Sequence, residues 1–112
     1  VPALVGGRAG FVEAARKLGE RILKEGGSTP GSRIGFAFTA VLGRPPGEVE
    51  LRVLTETAAY YMRRFDSDRA AAEAYLKQGD SPRDPALDAV SLAAWSSIAS
   101  LILNLDETVT KG

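Results

Sequence analysis

The chain has 112 residues, enough for one modest domain, with 45% hydrophobic and 25% charged residues as in an ordinary soluble globular fold. Fourteen Lys and Arg balance fourteen Asp and Glu, so the net charge is zero and the general basic excess of a nucleic-acid binder is missing. There is no Cys and no His, which excludes disulfides, thiolate metal sites, thiol nucleophiles and the commonest general base.

The first predicted helix covers about residues 9–25. Phe11, Ala15, Leu18 and Ile22 recur at helical steps and define one apolar face. Arg16, Lys17, Glu20, Arg21 and Lys24 are placed on the opposite side. Gly26-Gly27 ends the helix, because glycine accepts the left-handed terminus without steric cost. Residues 1–44 carry seven Lys and Arg against three Glu. Scattered helix-face charge explains that local excess better than a nucleic-acid surface does.

Thr29 is the expected N-cap of a second helix, with Pro30 at its first position. Ile34, Phe38, Val41 and Leu42 form its apolar stripe, and Gly43 stops it. Gly35, inside this helix, weakens it by about 1 kcal/mol relative to Ala. A closely packed neighbour is the expected compensation. Arg44-Pro45-Pro46-Gly47 then makes a rigid corner.

A third helix is predicted over about 47–65. Glu48 and Glu50 favour its positive end, and Arg63 and Arg64 its negative end. Leu51, Leu54, Ala58, Tyr61 and Phe65 make its core stripe. A short fourth helix covers about 67–78, capped by Asp66 or Ser67 and ended by Gly79.

The fifth predicted helix starts at Asp84-Pro85 and is apolar on most sides. No residue from Ala89 to Leu105 is charged. Leu87, Val90, Ala94, Ile98, Leu101 and Leu105 form one face, and Leu92, Trp95, Ala99 and Ile102 widen it. Such a helix is either buried or in a membrane. Its five serine and asparagine positions and its marginal length favour burial over membrane insertion. The expected fold is all-α, an irregular bundle of four to five helices around this central apolar C-terminal helix.

Three segments occur together: Phe11-Val-Glu-Ala-Ala-Arg16, Ala37-Phe-Thr-Ala-Val-Leu-Gly-Arg-Pro-Pro46, and Leu92-Ala-Ala-Trp95 with Leu103-Asn-Leu-Asp-Glu107. In this order and spacing they resemble the C-terminal part of the DUF1553 (PSD1-type) domain of planctomycete cytochrome-c-like multi-domain proteins. The resemblance implies a single domain over 1–112, excised from the end of a larger chain exported to the cell envelope. It also implies that the partners are other domains of the same full-length chain. It supplies no catalytic residues. Ser91 stands where the family commonly has an acid, and Thr108 where it often has an aromatic. The chain has no Cys-x-x-Cys-His, so no haem attaches covalently to this piece and no cofactor is expected in it.

The best polar cluster is Asn104, Asp106 and Glu107, whose oxygen ligands suit a hard cation such as Ca²⁺. The plainer reading is a helix C-terminus, with Asn104 in its last turn. Arg44 is expected to tie the Gly-Arg-Pro-Pro corner to Asp106 or Glu107, or to the end of the second helix. Asp80, Asp84 and Asp88 lack the spacing of an EF-hand loop. Tyr61 and Tyr75 read as amphipathic core residues, and neither Gly6-Gly7 nor Gly26-Gly27 follows a strand, as a phosphate loop requires. The favoured function is a non-catalytic structural or interaction module. The alternative is a contribution to an enzyme or redox site completed by upstream domains. Composition leaves the oligomeric state open.

Overall fold

A computed structural model describes residues 2–77 and 84–111, with side chains described over 11–77 and 84–106. Five helices form an all-α bundle: α1 (Pro2–Glu25), α2 (Pro30–Leu42), α3 (Glu48–Ser67), α4 (Arg69–Leu76) and α5 (Ala89–Lys111). The central position expected of α5 is observed. It packs against all four other helices, most extensively against α1.

α1 starts seven residues before the expected boundary, with Pro2 at its first position. Proline suits that position because an N–H there has no helical acceptor. Ala15, Leu18 and Ile22 are buried, as their spacing predicted, and Phe11 is half-buried. Arg16 departs from the expected solvent face and is only 4% exposed. Its Nη1 donates to the carbonyl of Leu76, the last residue of α4, at 3.0 Å. A guanidinium there satisfies an end carbonyl and meets the negative end of the helix dipole. The buried face of α1 is therefore wider than its apolar stripe, because α1 meets the end of α4 as well as α5.

Gly19 sets how closely α1 approaches α5. A Cβ built at Gly19 would lie 2.9 Å from both N and Cα of Ser96 and still closer to its Oγ. Gly35 shows the opposite. A Cβ there meets nothing within 4 Å among the described residues, so the packed neighbour expected at Gly35 is not found among them.

The α1–α2 connection follows its sequence signals. Gly27 takes φ +87°, and the Gly26 and Gly27 carbonyls accept from Ser32 Oγ at 2.6 Å and Arg33 Nε at 3.0 Å. Thr29 Oγ1 caps α2 by accepting from Ser32 N at 3.1 Å. Gly43 ends α2 at φ +73°, its N–H donating to Thr39 O at 3.0 Å. Ile34, Ala37 and Phe38 are buried in α2, and Leu54, Ala58 and Phe65 in α3.

Two boundaries shift. α3 continues to Ser67, whose Oγ donates to Arg64 O at 2.9 Å. Asp68 then caps α4, accepting from Ala71 N at 3.1 Å, so neither Asp66 nor Ser67 is the cap. Gly79, the expected stop of α4, lies outside the described residues, as does Asp80. α5 starts at Ala89 rather than at Asp84-Pro85. Asp84 accepts from Ala86 N at 2.9 Å and Leu87 N bonds to its carbonyl at 3.1 Å, which closes a turn. Proline after an aspartate suits such a turn as well as a helix start. Asp88 is the actual cap, its carboxylate accepting from Ser91 N at 3.0 Å.

Val90 and every residue from Leu92 to Ala99 are buried, together with Ile102. The Ala89–Asp106 stretch is long and apolar enough to cross a bilayer, yet 56% of it is buried inside the bundle. Leu105 departs from the expected core face and is 39% exposed.

Asp84 also accepts an ion pair from Lys24 Nζ at 2.8 Å, joining the end of α1 to the turn before α5. The Lys24 hydrogen bond, helped by the Ala86 N–H, holds the Asp84 carboxyl below its ordinary 3.8. The same hydrogen bond raises Lys24 above its ordinary 10.5. A depressed carboxyl stabilises the fold above its ordinary value, and that contribution is lost as pH falls through the depressed one. A raised amine stabilises below its ordinary value, and that contribution is lost as pH rises through the raised one. The tie is therefore complete between those limits. In an NMR titration the Asp84 carboxyl should titrate below the ordinary range. In Lys24→Met its midpoint should move up, and an unmoved midpoint would show that the pair does not form in solution.

Candidate functional site

Arg44 leaves α2 just after Gly43 and turns back along the corner. Its Nη1 and Nη2 donate to Glu50 Oε1 and Oε2 at 3.0 and 3.1 Å, and Nη1 also donates to Pro45 O at 3.1 Å. Its guanidinium carbon lies 5.0 Å from the centre of the Phe38 ring. Glu50 in turn accepts from Gly47 N at 2.7 Å, so one carboxylate both caps α3 and fixes the corner. The Arg44 hydrogen bonds, then the Gly47 N–H, lower the Glu50 carboxyl from its ordinary value. Among the described residues the fork partner of Arg44 is Glu50 rather than the expected Asp106. The reason is reach: Glu50 lies one turn into the helix that starts at the corner, where a bidentate pair forms with little chain to order.

The expected helix end at Asn104–Glu107 is also replaced. α5 continues through these residues to Lys111, with neither glycine nor proline to stop it. Asn104 is exposed and Asp106 half-buried on its last turns, and the Glu107 side chain lies outside the described residues. Among the described residues, no group of three or more acidic side chains is placed to hold a metal ion.

The same region holds an apolar groove between the first turns of α3 and the later turns of α5. Val49, Val53 and Leu54 form one wall and Leu101 and Leu105 the other, with Glu50 and Asn104 as polar lining. Its volume is about 420 Å³. Two of the sequence-selected residues thus meet at one place, Asn104 directly and Arg44 through its partner Glu50. What they flank is an apolar surface.

The exposed apolar side chains concentrate here. Among the described residues, the large hydrophobics left exposed are Val49 (60%), Val53 (49%), Tyr60 (51%) and Leu105 (39%). At 3.6 residues per turn the first three fall within about 40° of arc on α3. They lie off the buried Leu54–Ala58–Phe65 stripe, so α3 carries exposed apolar side chains on its solvent side, with the exposed Glu56 among them. Reading for the core stripe alone passes over these residues. The signal that finds them is apolar side chains recurring at helical spacing outside that stripe.

A second groove, about 660 Å³ and more open, runs along α1 and α2 between Arg21, Gly27, Ser32, Gly35 and Phe36. Arg21 stacks over Phe36 at 5.2 Å, and Ser32 is engaged by Gly26. Its main features are accounted for by contacts within the bundle.

No family model matches the chain, and neither a curated protein nor a solved structure matches it. The resemblance to the DUF1553 domain therefore rests on its motifs alone.

Proposed function

We propose that this chain is a non-catalytic helical interaction module that works by docking through the α3–α5 face. The observation that carries this reading is the set of exposed apolar side chains on α3. Three large side chains remain in water on one line of a helix whose other side already serves the core. Isolated exposed hydrophobics are normal, but Val49, Val53 and Leu105 line one apolar groove together, which marks an interaction surface. The bidentate Arg44–Glu50 fork holds the start of α3, so the face is presented by a fixed helix. The motif resemblance adds a setting to this reading: the end of a larger cell-envelope protein, with docking partners among its other domains.

The test is binding of an apolar fluorescent dye, anilinonaphthalene sulfonate, to dilute protein. Val53→Asp combined with Leu105→Asp should reduce dye binding by about tenfold, because each places a charge on the groove wall. Circular dichroism and melting should change little, since both side chains are exposed. Undiminished dye binding by a folded double variant would overturn the docking face.

A further inference from the structure

We infer that the α3–α5 groove takes a short amphipathic helix of a partner, docked in line with α4 along one seam. This occupant rests on the docking role proposed above. Its support is the way α4 itself is seated. The Tyr75 ring of α4 lies 5.9 Å from that of Phe65, late in α3, and Tyr75 shares a hydrogen bond with Ser97, early in α5. Ala72 and Leu76 are buried on the same helix, and α4 packs on both α3 and α5. The groove joins Val49, Val53 and Leu54, early in α3, to Leu101 and Leu105, late in α5. α3 and α5 therefore run antiparallel, with α4 on one stretch of their seam and the groove along the other.

Both stretches lie on one side of that seam. On α5, Leu101 and Asn104 follow Ser97 at helical steps that keep them within about 40° of its line. On α3, Leu54 precedes Phe65 by about three turns and returns to within about 20° of it. α2 takes the opposite side: its Arg33 lies over Trp95, about 160° round α5 from Ser97. The valley that holds α4 thus continues into the groove, where Val49, Val53 and Leu105 are exposed. A valley between two packed helices accepts the side-chain ridge of a third. α4 shows which ridge fits, since Ala72, Tyr75 and Leu76 stand at i, i+3 and i+4. Val49–Val53 and Leu101–Leu105 each span about one turn of wall, which matches such a set. The walls are side chains on helices whose own backbones are already paired. An extended peptide would bury unpaired N–H and C=O groups there, whereas a helix satisfies its own.

The experiment is a selection of phage-displayed helical peptides on wild type, with the folded Val53→Asp and Leu105→Asp double variant as counter-target. The peptides share an alanine-, glutamate- and lysine-rich frame of about 18 residues, long enough to hold a helix in water. Their positions i, i+3 and i+4 are randomised. Enriched peptides should carry apolar residues at all three and bind the double variant at least about tenfold more weakly, because each substitution charges a groove wall. A proline at the centre of the frame should abolish binding. On binding, the amide resonances of Val49, Val53, Leu101 and Leu105 should shift, and those of Ala72, Tyr75 and Leu76 should not. No enrichment, binding that survives the proline, or shifts that spread through α4 would overturn a helix docked in line with α4. Dodecanoate that displaces the dye where no peptide does would overturn it in favour of a lipid chain. If no helix binds but dye binding still falls in the double variant, the docking face stands without this occupant. If dye binding does not fall, both readings fail.

Discussion

Trp95→Ala should lower the stability of the domain by about 3–5 kcal/mol, the usual cost of truncating a large buried aromatic. Trp95 is 2% exposed and sits in the unbroken buried run of α5. Its ring also carries Arg33 of α2, whose guanidinium carbon is 5.5 Å from the ring centre. The truncation therefore removes apolar burial and a cation–π contact from the helix that every other helix touches. Small domains are stable by only about 5–15 kcal/mol, so the variant should be close to unfolding. Each kcal/mol moves the melting temperature of a domain of this size by about 4–8 °C. Thermal denaturation should thus show a fall of more than about 10 °C. A shift of a degree or two would mean that α5 is not the structural centre.

Gly19 and Gly35 should respond to alanine with opposite signs. Both lie inside helices, and helix propensity alone predicts a gain of about 1 kcal/mol at each. Gly35→Ala should realise most of that gain, because a Cβ there meets open space. Gly19→Ala should instead destabilise by about 1–3 kcal/mol, the range for overpacking. The obstructing atoms are the N and Cα of Ser96, both at 2.9 Å from a built Cβ, so relief requires α1 and α5 to move apart. Gly19→Leu should be worse still. Chemical denaturation of the two alanine variants gives the comparison directly. Equal effects at the two glycines would mean that the close α1–α5 contact is not present in solution.

The structure assigns different work to residues that look equivalent along the chain. Asp84 and Asp88 are both aspartates ahead of an apolar run, yet Asp84 closes a turn and binds Lys24, and Asp88 caps the helix. Arg16 and Lys17 are adjacent cations, but one is buried against the end of α4 and the other is exposed. Arg44 was expected to pair with Asp106 or Glu107 or with the end of the second helix, and its bidentate partner is Glu50, which was absent from the candidate site. Asn104, read from the sequence as part of a polar cluster at a helix end, borders an apolar groove.

The amino-acid sequence by itself determined the local punctuation of the fold. Thr29-Pro30, Gly27 and Gly43 act through backbone torsions and hydrogen bonds within a few residues, so their effects need no distant neighbour. It also determined α5 as the pillar, because a helix without charge over so long a run is disfavoured on a solvated surface. Only the tertiary structure decided the burial of Arg16, the close approach at Gly19, the start of α5 at Ala89 behind its cap Asp88, and the exposed apolar side chains of α3. Each of these depends on which helix faces which and at what distance. Helical periodicity specifies an angle around one axis, but the partner, the spacing and the faces left uncovered are settled when five such axes pack together.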